Sequence, residues 1–148
     1  MLKATLNLPS AEELKKQCKL GSGGEVQQYI DTFVVKKSYP YTPGKHINDA
    51  GNIGTNFGSG TVVWDSPDAN YLYEAKLMVD PFTLKGAFFS KDYGYWSRPN
   101  TEKIMDHAGR NLEFHKNPGA DHWFDKMIND KMDDLLKGIG EIISKWNR

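Results

Sequence analysis

Four histidines, one cysteine and one glycine-rich turn carry most of the chemistry that this chain could offer. His46, His107, His115 and His122 would hold a transition metal or move protons if they were gathered together. The last three are eight and seven residues apart, and none belongs to an HExxH pair or another short metal-ligand spacing. They read as surface or helix-start histidines, and no metal or other cofactor is expected. Asp49 lies near His46, but no serine or cysteine stands with them in a nucleophile motif. Cys18, the one cysteine, has no identifiable histidine partner, and it excludes both an internal disulfide framework and a cysteine-rich zinc site. Gly21-Ser22-Gly23-Gly24 resembles a phosphate loop only in its glycines. It lacks the GK[ST] ending and no strand precedes it, so it reads as a joint between two helices. No catalytic constellation emerges, and the chain is not expected to be an enzyme.

A different kind of chemistry lies in residues 82–99, FTLKGAFFSKDYGYWSRP. Phe82, Phe88, Phe89, Tyr93, Tyr95 and Trp96 are interleaved with Lys85, Lys91 and Arg98. Gly86 and Gly94 interrupt the run, which predicts a hairpin or a long irregular loop rather than a helix. So many aromatics in water would form a large apolar patch, so the segment either folds back onto the core or is covered by a neighbouring subunit. Aromatics mixed with basic residues suit single-stranded nucleic acid, and the same mixture suits protein interfaces. With only three basic charges in a chain of zero net charge, the protein interface is the favoured reading and a small nucleic-acid-binding protein the alternative. The preceding block, GSGTVVWDSPDANYLYEAKLMVDP, adds Tyr71, Tyr73 and Met78 to the candidate interface.

The elements that must position these residues can be read from periodicity and punctuation. The chain of 148 residues is long enough for one domain, residues 1–148, with its own core. Its balanced charge leaves little long-range repulsion between copies. No run approaches the ~18 apolar residues of a membrane span. The start, MLKATLNLPSAEELKK, lacks the continuous apolar core of a signal peptide, so a soluble protein made in the cytoplasm is expected. Ser10 and Glu13 form a capping box that opens a first helix, running to about Leu20. A second helix spans residues 25–38, with Val26, Tyr29, Ile30, Phe33 and Val34 on one face. Pro40 and Pro43 predict an extended connection after it. Residues 52–57 and 61–64 are expected to be two antiparallel strands joined at Gly58-Ser59-Gly60. A short helix over residues 67–75, capped by Asp65 or Ser66, would place Ala69, Leu72 and Tyr73 on one side. Asn117, Pro118 and Asp121 have the chemistry of a helix start, and an apolar stripe from Trp123 to Trp146 predicts a long last helix. Within it, Gly138 and Gly140 would admit a close helix contact or a bend. The expected fold is α+β: two N-terminal helices, a small antiparallel β-sheet, and a long C-terminal helix packed across it.

Three stretches, taken in order, resemble one family. They are LPSAEELKKQCKLGSGGEVQQYIDTFVVKKSYPYTPG, the GSGTVVWDSPDANYLYEAKLMVDP block, and RNLEFHKNPGADHWFDKMINDKMDDLLKGI. With the intervening GAFFSKDYGYWSRP, they are similar to the minor capsid proteins of tailed bacteriophages, a family allied to head–tail joining and tail completion proteins. The segment GKHINDAGN departs from the aspartate-threonine-glycine turn common in that family. The resemblance implies a structural virion component at the head–tail junction, or neck, with no catalytic residues. It implies a homo-oligomeric ring, hexameric or dodecameric, joining the capsid and portal side to the tail. Its neighbours would be other neck proteins and tail tube or terminator proteins, with passing contact to phage DNA and none to membrane. Such a ring needs two different patches on each copy. The candidates are Tyr71, Tyr73 and Met78 on one segment, and Phe82, Phe88, Phe89, Tyr93, Tyr95 and Trp96 on the other.

Overall fold

The Ser10 hydroxyl and the Glu13 carboxylate cap each other's backbone. Glu13 N donates to Ser10 Oγ at 3.2 Å, and Ser10 N donates to Glu13 Oε2 at 2.7 Å. This capping box opens α1 (Ala11–Gln17). The computed structural model describes residues 10–146, so the expectations for residues 1–9 lie outside the described residues. The Gly21–Gly24 joint leads into α2 (Glu25–Ser38), which buries Val26, Phe33, Val34 and Val35. A 3-10 turn over Tyr39–Tyr41 follows, in place of the extended connection expected from Pro40 and Pro43. The fixed φ of Pro40 suits the first positions of such a turn.

The largest departure comes next. Residues 45–54 form a helix, α3 (Lys45–Gly54), and residues 61–64 form no strand, so the hairpin expected over 52–64 is absent. Ile47, Ala50 and Gly51 recur at helical spacing and make the buried face of α3. What joins residues 55 and 63 is one side chain: Val63 N donates to Thr55 Oγ1 at 3.0 Å, and Thr55 Oγ1 donates to Val63 O at 3.3 Å. The Gly58-Ser59-Gly60 turn folds around a buried carboxylate instead of closing a ladder. Asp31 Oδ2 on α2 accepts Gly58 N at 2.8 Å and Gly60 N at 3.1 Å.

The short helix is α4 (Ala69–Tyr73), entered through Asp68 rather than Asp65 or Ser66. As expected, its Ala69, Leu72 and Tyr73 meet the core. The sheet structure is two antiparallel pairs. β1 (Met78–Val79) pairs with β4 (Ile104–Met105), and β2 (Phe88–Ser90) pairs with β3 (Gly94–Trp96). The last helix, α5 (Trp123–Trp146), begins at Trp123, not after Asn117. Asn117 instead donates its amide to the carbonyls of Pro40 at 3.0 Å and Thr42 at 2.8 Å, tying the approach to α5 onto the end of α2.

The fold is α+β, but α5 packs on α2 rather than across a sheet. Phe33 and Val34 of α2 meet Met127 and Leu135 of α5, with Tyr29, Ile30, Ile128 and Ile139 around them. A second cluster joins Ile47, Ala69 and Trp123, bridged to the first by Tyr41, Trp64 and Phe124. Gly138 is where the helices close. A Cβ there would lie 1.8 Å from the Tyr29 hydroxyl, so only glycine leaves room for that ring. At the far end, Trp123 is enclosed by Trp64 and Tyr73, both edge-on at 5.8 and 4.8 Å between ring centroids. Its Nε1–H is a buried side-chain donor without a hydrogen-bond partner among the described residues.

Candidate functional site

The helical core leaves residues 82–99 outside it, as an arm that starts and ends on one buried residue. Asp80 is 3% exposed. Its Oδ1 accepts Phe82 N and Thr83 N, each at 2.9 Å, in the turn that an aspartate before proline favours. Its Oδ2 accepts Arg98 Nε at 2.8 Å, from the other end of the arm. The Arg98 hydrogen bond, aided by the two backbone donors, outweighs burial and holds the Asp80 carboxyl down at about 2. The Arg98 guanidinium also lies over the rings of Phe82, at 5.2 Å, and Phe88, at 5.9 Å. A second pair braces the same root. Asp106 Oδ2 accepts Arg110 Nε at 2.7 Å, and Arg110 Nη2 donates to Leu84 O at 2.9 Å.

Beyond the root the arm is a two-stranded blade. Its register pairs Phe88 with Trp96, Phe89 with Tyr95 and Ser90 with Gly94. The alternation of strand side chains then puts one aromatic pair on each face. Phe88 and Trp96 lie 4.7 Å apart, and Phe89 and Tyr95 lie 5.1 Å apart, between ring centroids. Such cross-strand pairs contribute about 0.5–1.5 kcal/mol each beyond the area they cover. Gly94 has φ +71°, the left-handed conformation that closes a short hairpin loop at little cost. The Phe88–Trp96 face is partly shielded by Arg98. The Phe89–Tyr95 face and the tip are open, with Tyr93 85%, Tyr95 78% and Phe89 65% exposed. Phe82 at the root is 76% exposed and Trp96 44%. At ~200 Å² per aromatic side chain, Phe89, Tyr93 and Tyr95 on the open face and tip present on the order of 450 Å² to solvent. That matches the ~300–600 Å² of the largest apolar patch on a typical monomer, a size that is often functional.

The other candidate residues divide. Tyr71 and Met78 face one shallow depression of about 380 Å³, shared with Pro67, Asp68, Glu102 and Lys103 at the foot of the arm. Tyr73 packs the other way, against Trp123, and its hydroxyl donates to Asp125 Oδ2 at 3.0 Å. Burial and the Asp125 carboxylate push the Tyr73 phenol up to about 12. The histidines are dispersed. His46 Nε2 lies 3.1 Å from Asp68 Oδ2, and His122 sits between Asp121 at 2.9 Å and Glu74 at 3.4 Å. Among the described residues no three His, Cys, Asp or Glu side chains gather as a metal site, and no helix is long and apolar enough to cross a membrane.

Comparison with protein-family models, curated proteins and solved structures returns no match to this chain. The site is therefore read from its own geometry. Sequence reasoning placed the aromatics on a hairpin or loop but missed the role of Asp80, which joins both ends of the arm. The available signal was Asp80-Pro81-Phe82-Thr83, an aspartate able to bond the backbone two and three residues on. Exposed Met105, opposite Met78 in the β1–β4 register, was also missed.

Proposed function

We propose that this chain is a non-enzymatic assembly subunit whose aromatic arm binds a protein surface, and that it serves at the head–tail junction of a tailed bacteriophage. The observation that carries the assembly reading is the arm itself. It is rooted by a pair between buried Asp80 and solvent-facing Arg98 and by an aromatic–guanidinium stack, yet exposes Phe89, Tyr93 and Tyr95. A preorganised aromatic blade loses little conformational entropy on docking, and Tyr, Trp and Phe are the residues that dominate interface energetics. The nucleic-acid alternative depends on basic groups being turned toward a backbone. Arg98 is engaged with Asp80 at its own root, which favours the protein surface. The placement at the neck rests on the family resemblance of three ordered sequence stretches. Copies would join around the neck axis in a ring and contact neighbouring neck and tail proteins.

The test of this reading is made in particles. A phage that encodes this chain, with the coding sequence deleted, is expected to make heads and tails that remain apart in electron micrographs of the lysate. Joined, infectious virions at normal yield would refute the neck assignment. Absence of heads would refute it in favour of a role in capsid assembly.

A further inference from the structure

The solvent face of α5 has the properties that the arm lacks. Asp125, Asn129, Met132, Asp133, Leu136 and Gly140 recur at helical spacing along it and are all exposed. Met132 is 40% and Leu136 57% exposed, one turn apart, and a Cβ at Gly140 would meet nothing within 4 Å, so the strip ends in open space. The same stretch is acidic. Asp125, Asp130, Asp133 and Asp134 outnumber Lys126, Lys131 and Lys137 by one, and Lys126 is drawn to Asp121 at 2.8 Å and to the Gly119 carbonyl at 2.6 Å. The arm is the reverse, with Lys85 and Lys91 against Asp92 around open aromatic rings, Arg98 being paired with Asp80 at the root. One surface is apolar with a net negative rim, and the other is aromatic with a net positive rim.

We propose that the arm of one copy lies along this face of α5 in the next copy. Phe89, Tyr93 and Tyr95 pack on Met132 and Leu136, and Lys91 is set against Asp133. This inference deepens the assembly reading and rests on it. The open face and tip of the arm, Phe89, Tyr93 and Tyr95, present on the order of 450 Å², a little over half of the ~800 Å² per partner of a standard interface, which sets each contact in the weak, transient class. The two patches differ, so the contact is heterologous. Each copy gives an arm and receives one, which propagates head to tail and closes into a ring when the rotation permits. The opposite rims steer the two patches together and penalise arm-to-arm encounters.

The experiment uses the purified full chain, with self-association followed by sedimentation velocity over a concentration series. The first variant, Phe89→Ser with Tyr95→Ser, removes the arm's open face. The second, Met132→Lys with Leu136→Lys, removes the receiving face. Each is expected to weaken association at least about tenfold, as loss of central anchors does. Mixed together, the two variants retain one intact arm and one intact face, and should form a mixed dimer that goes no further. Because all four side chains are exposed, far-UV circular dichroism should match the parent chain. A milder pair guards against misfolding: Lys91→Glu and Asp133→Lys should each weaken association, and the two in one chain should restore it. Wild-type-like assembly of the Met132/Leu136 variant, no mixed dimer, no charge rescue, or a chain that stays monomeric would each overturn the proposal. So would binding of a short oligodeoxythymidylate by a monomer whose arm variant loses it. A chain found at the neck of virions but assembling independently of α5 overturns this contact alone. Its absence from virions overturns the neck reading and leaves the contact to be judged by the mixing result.

Discussion

Removing the Asp31 carboxylate should unfasten the turn that the sequence pattern assigns to a hairpin. Asp31 is 2% exposed on α2 and accepts Gly58 N at 2.8 Å, Gly60 N at 3.1 Å and Gln27 Nε2 at 2.9 Å. Gly58 in turn accepts Gly23 N at 2.8 Å through its carbonyl, so the same turn is stitched to the joint before α2. Asp31→Ala deletes two hydrogen bonds from backbone donors to a charged acceptor, each contributing about 1.5–3 kcal/mol, and leaves the buried Gly58 N–H without its partner. The expected loss is about 3–5 kcal/mol, a large part of the ~5–15 kcal/mol that holds a domain folded. Asp31→Asn keeps one oxygen for the two glycine donors, and Gln27 can reverse its amide to meet the new –NH₂. Only the charge assistance goes, so the loss should be about 1–2 kcal/mol. Equilibrium urea denaturation reads both, with an unchanged slope showing that the folded state keeps its compactness. Amide exchange adds a local readout: Gly58 and Gly60 should exchange faster in Asp31→Ala than residues buried between α2 and α5. A loss under about 1 kcal/mol for Asp31→Ala, or equal losses for both variants, would refute the reasoning.

Two glycines of one helix should respond with opposite sign. Gly138→Ala places a Cβ 1.8 Å from the Tyr29 hydroxyl and should cost about 1–3 kcal/mol, while Gly140→Ala meets nothing within 4 Å and should gain up to ~1 kcal/mol from helix propensity in the same denaturation assay. Leu135→Ala, buried against Phe33 and Met127, should cost about 2–5 kcal/mol in that assay; a loss below ~0.5 kcal/mol would mean that this side chain does not serve the core. The carboxyls of Asp80 and Asp121 both lie at about 2 in the folded chain, below the unfolded value of 3.8. Their contribution is therefore complete above the unfolded value and is lost as pH falls toward 2, so the Phe82 and Thr83 amides should lose protection in that window. His122 titrates the other way. Its hydrogen bond to Asp121 raises its pKa, so its contribution is present below the unfolded value of 6.5 and fades as pH rises through the folded one; His122→Ala should flatten that limb of the stability profile.

The parts legible in the sequence are those in which one local signal decides the outcome. α2 spans the expected residues 25–38 because its apolar period, its glycine entry and Pro40 all agree. Ser10 and Glu13 needed only each other. The arm was visible because six aromatics around Gly86 and Gly94 suit a hairpin and little else. Misreadings arose where a residue's reason lies far along the chain. Gly51 and Gly54 looked like strand punctuation, but they are helical positions where a Cβ would lie 2.8 Å from Trp64 Nε1 and 2.7 Å from Val63 O. Asn117 looked like a cap because its amide suits one; it is occupied by carbonyls 77 and 75 residues away. For the site, the aromatic content was readable, but its common anchor at Asp80 was not, since the Arg98 pairing spans 18 residues.

The chain has four tryptophans, and the fold sets them in unlike surroundings. Trp123 is sealed between Trp64 and Tyr73 with its indole N–H away from solvent, Trp96 rides on the arm, and Trp146 lies beneath Lys19 at 4.4 Å. An enclosed indole emits at short wavelength and shifts red only when the core opens, whereas an indole on an exposed blade changes its emission when something covers it. Unfolding is thus reported by Trp123, and a contact that reaches the Phe88–Trp96 face of the arm by Trp96. Trp96→Phe leaves the emission of Trp64, Trp123 and Trp146, none of them on the arm, and the difference from wild type isolates the arm. The protein carries its own optical means of telling an assembly defect from a folding defect, without an attached label.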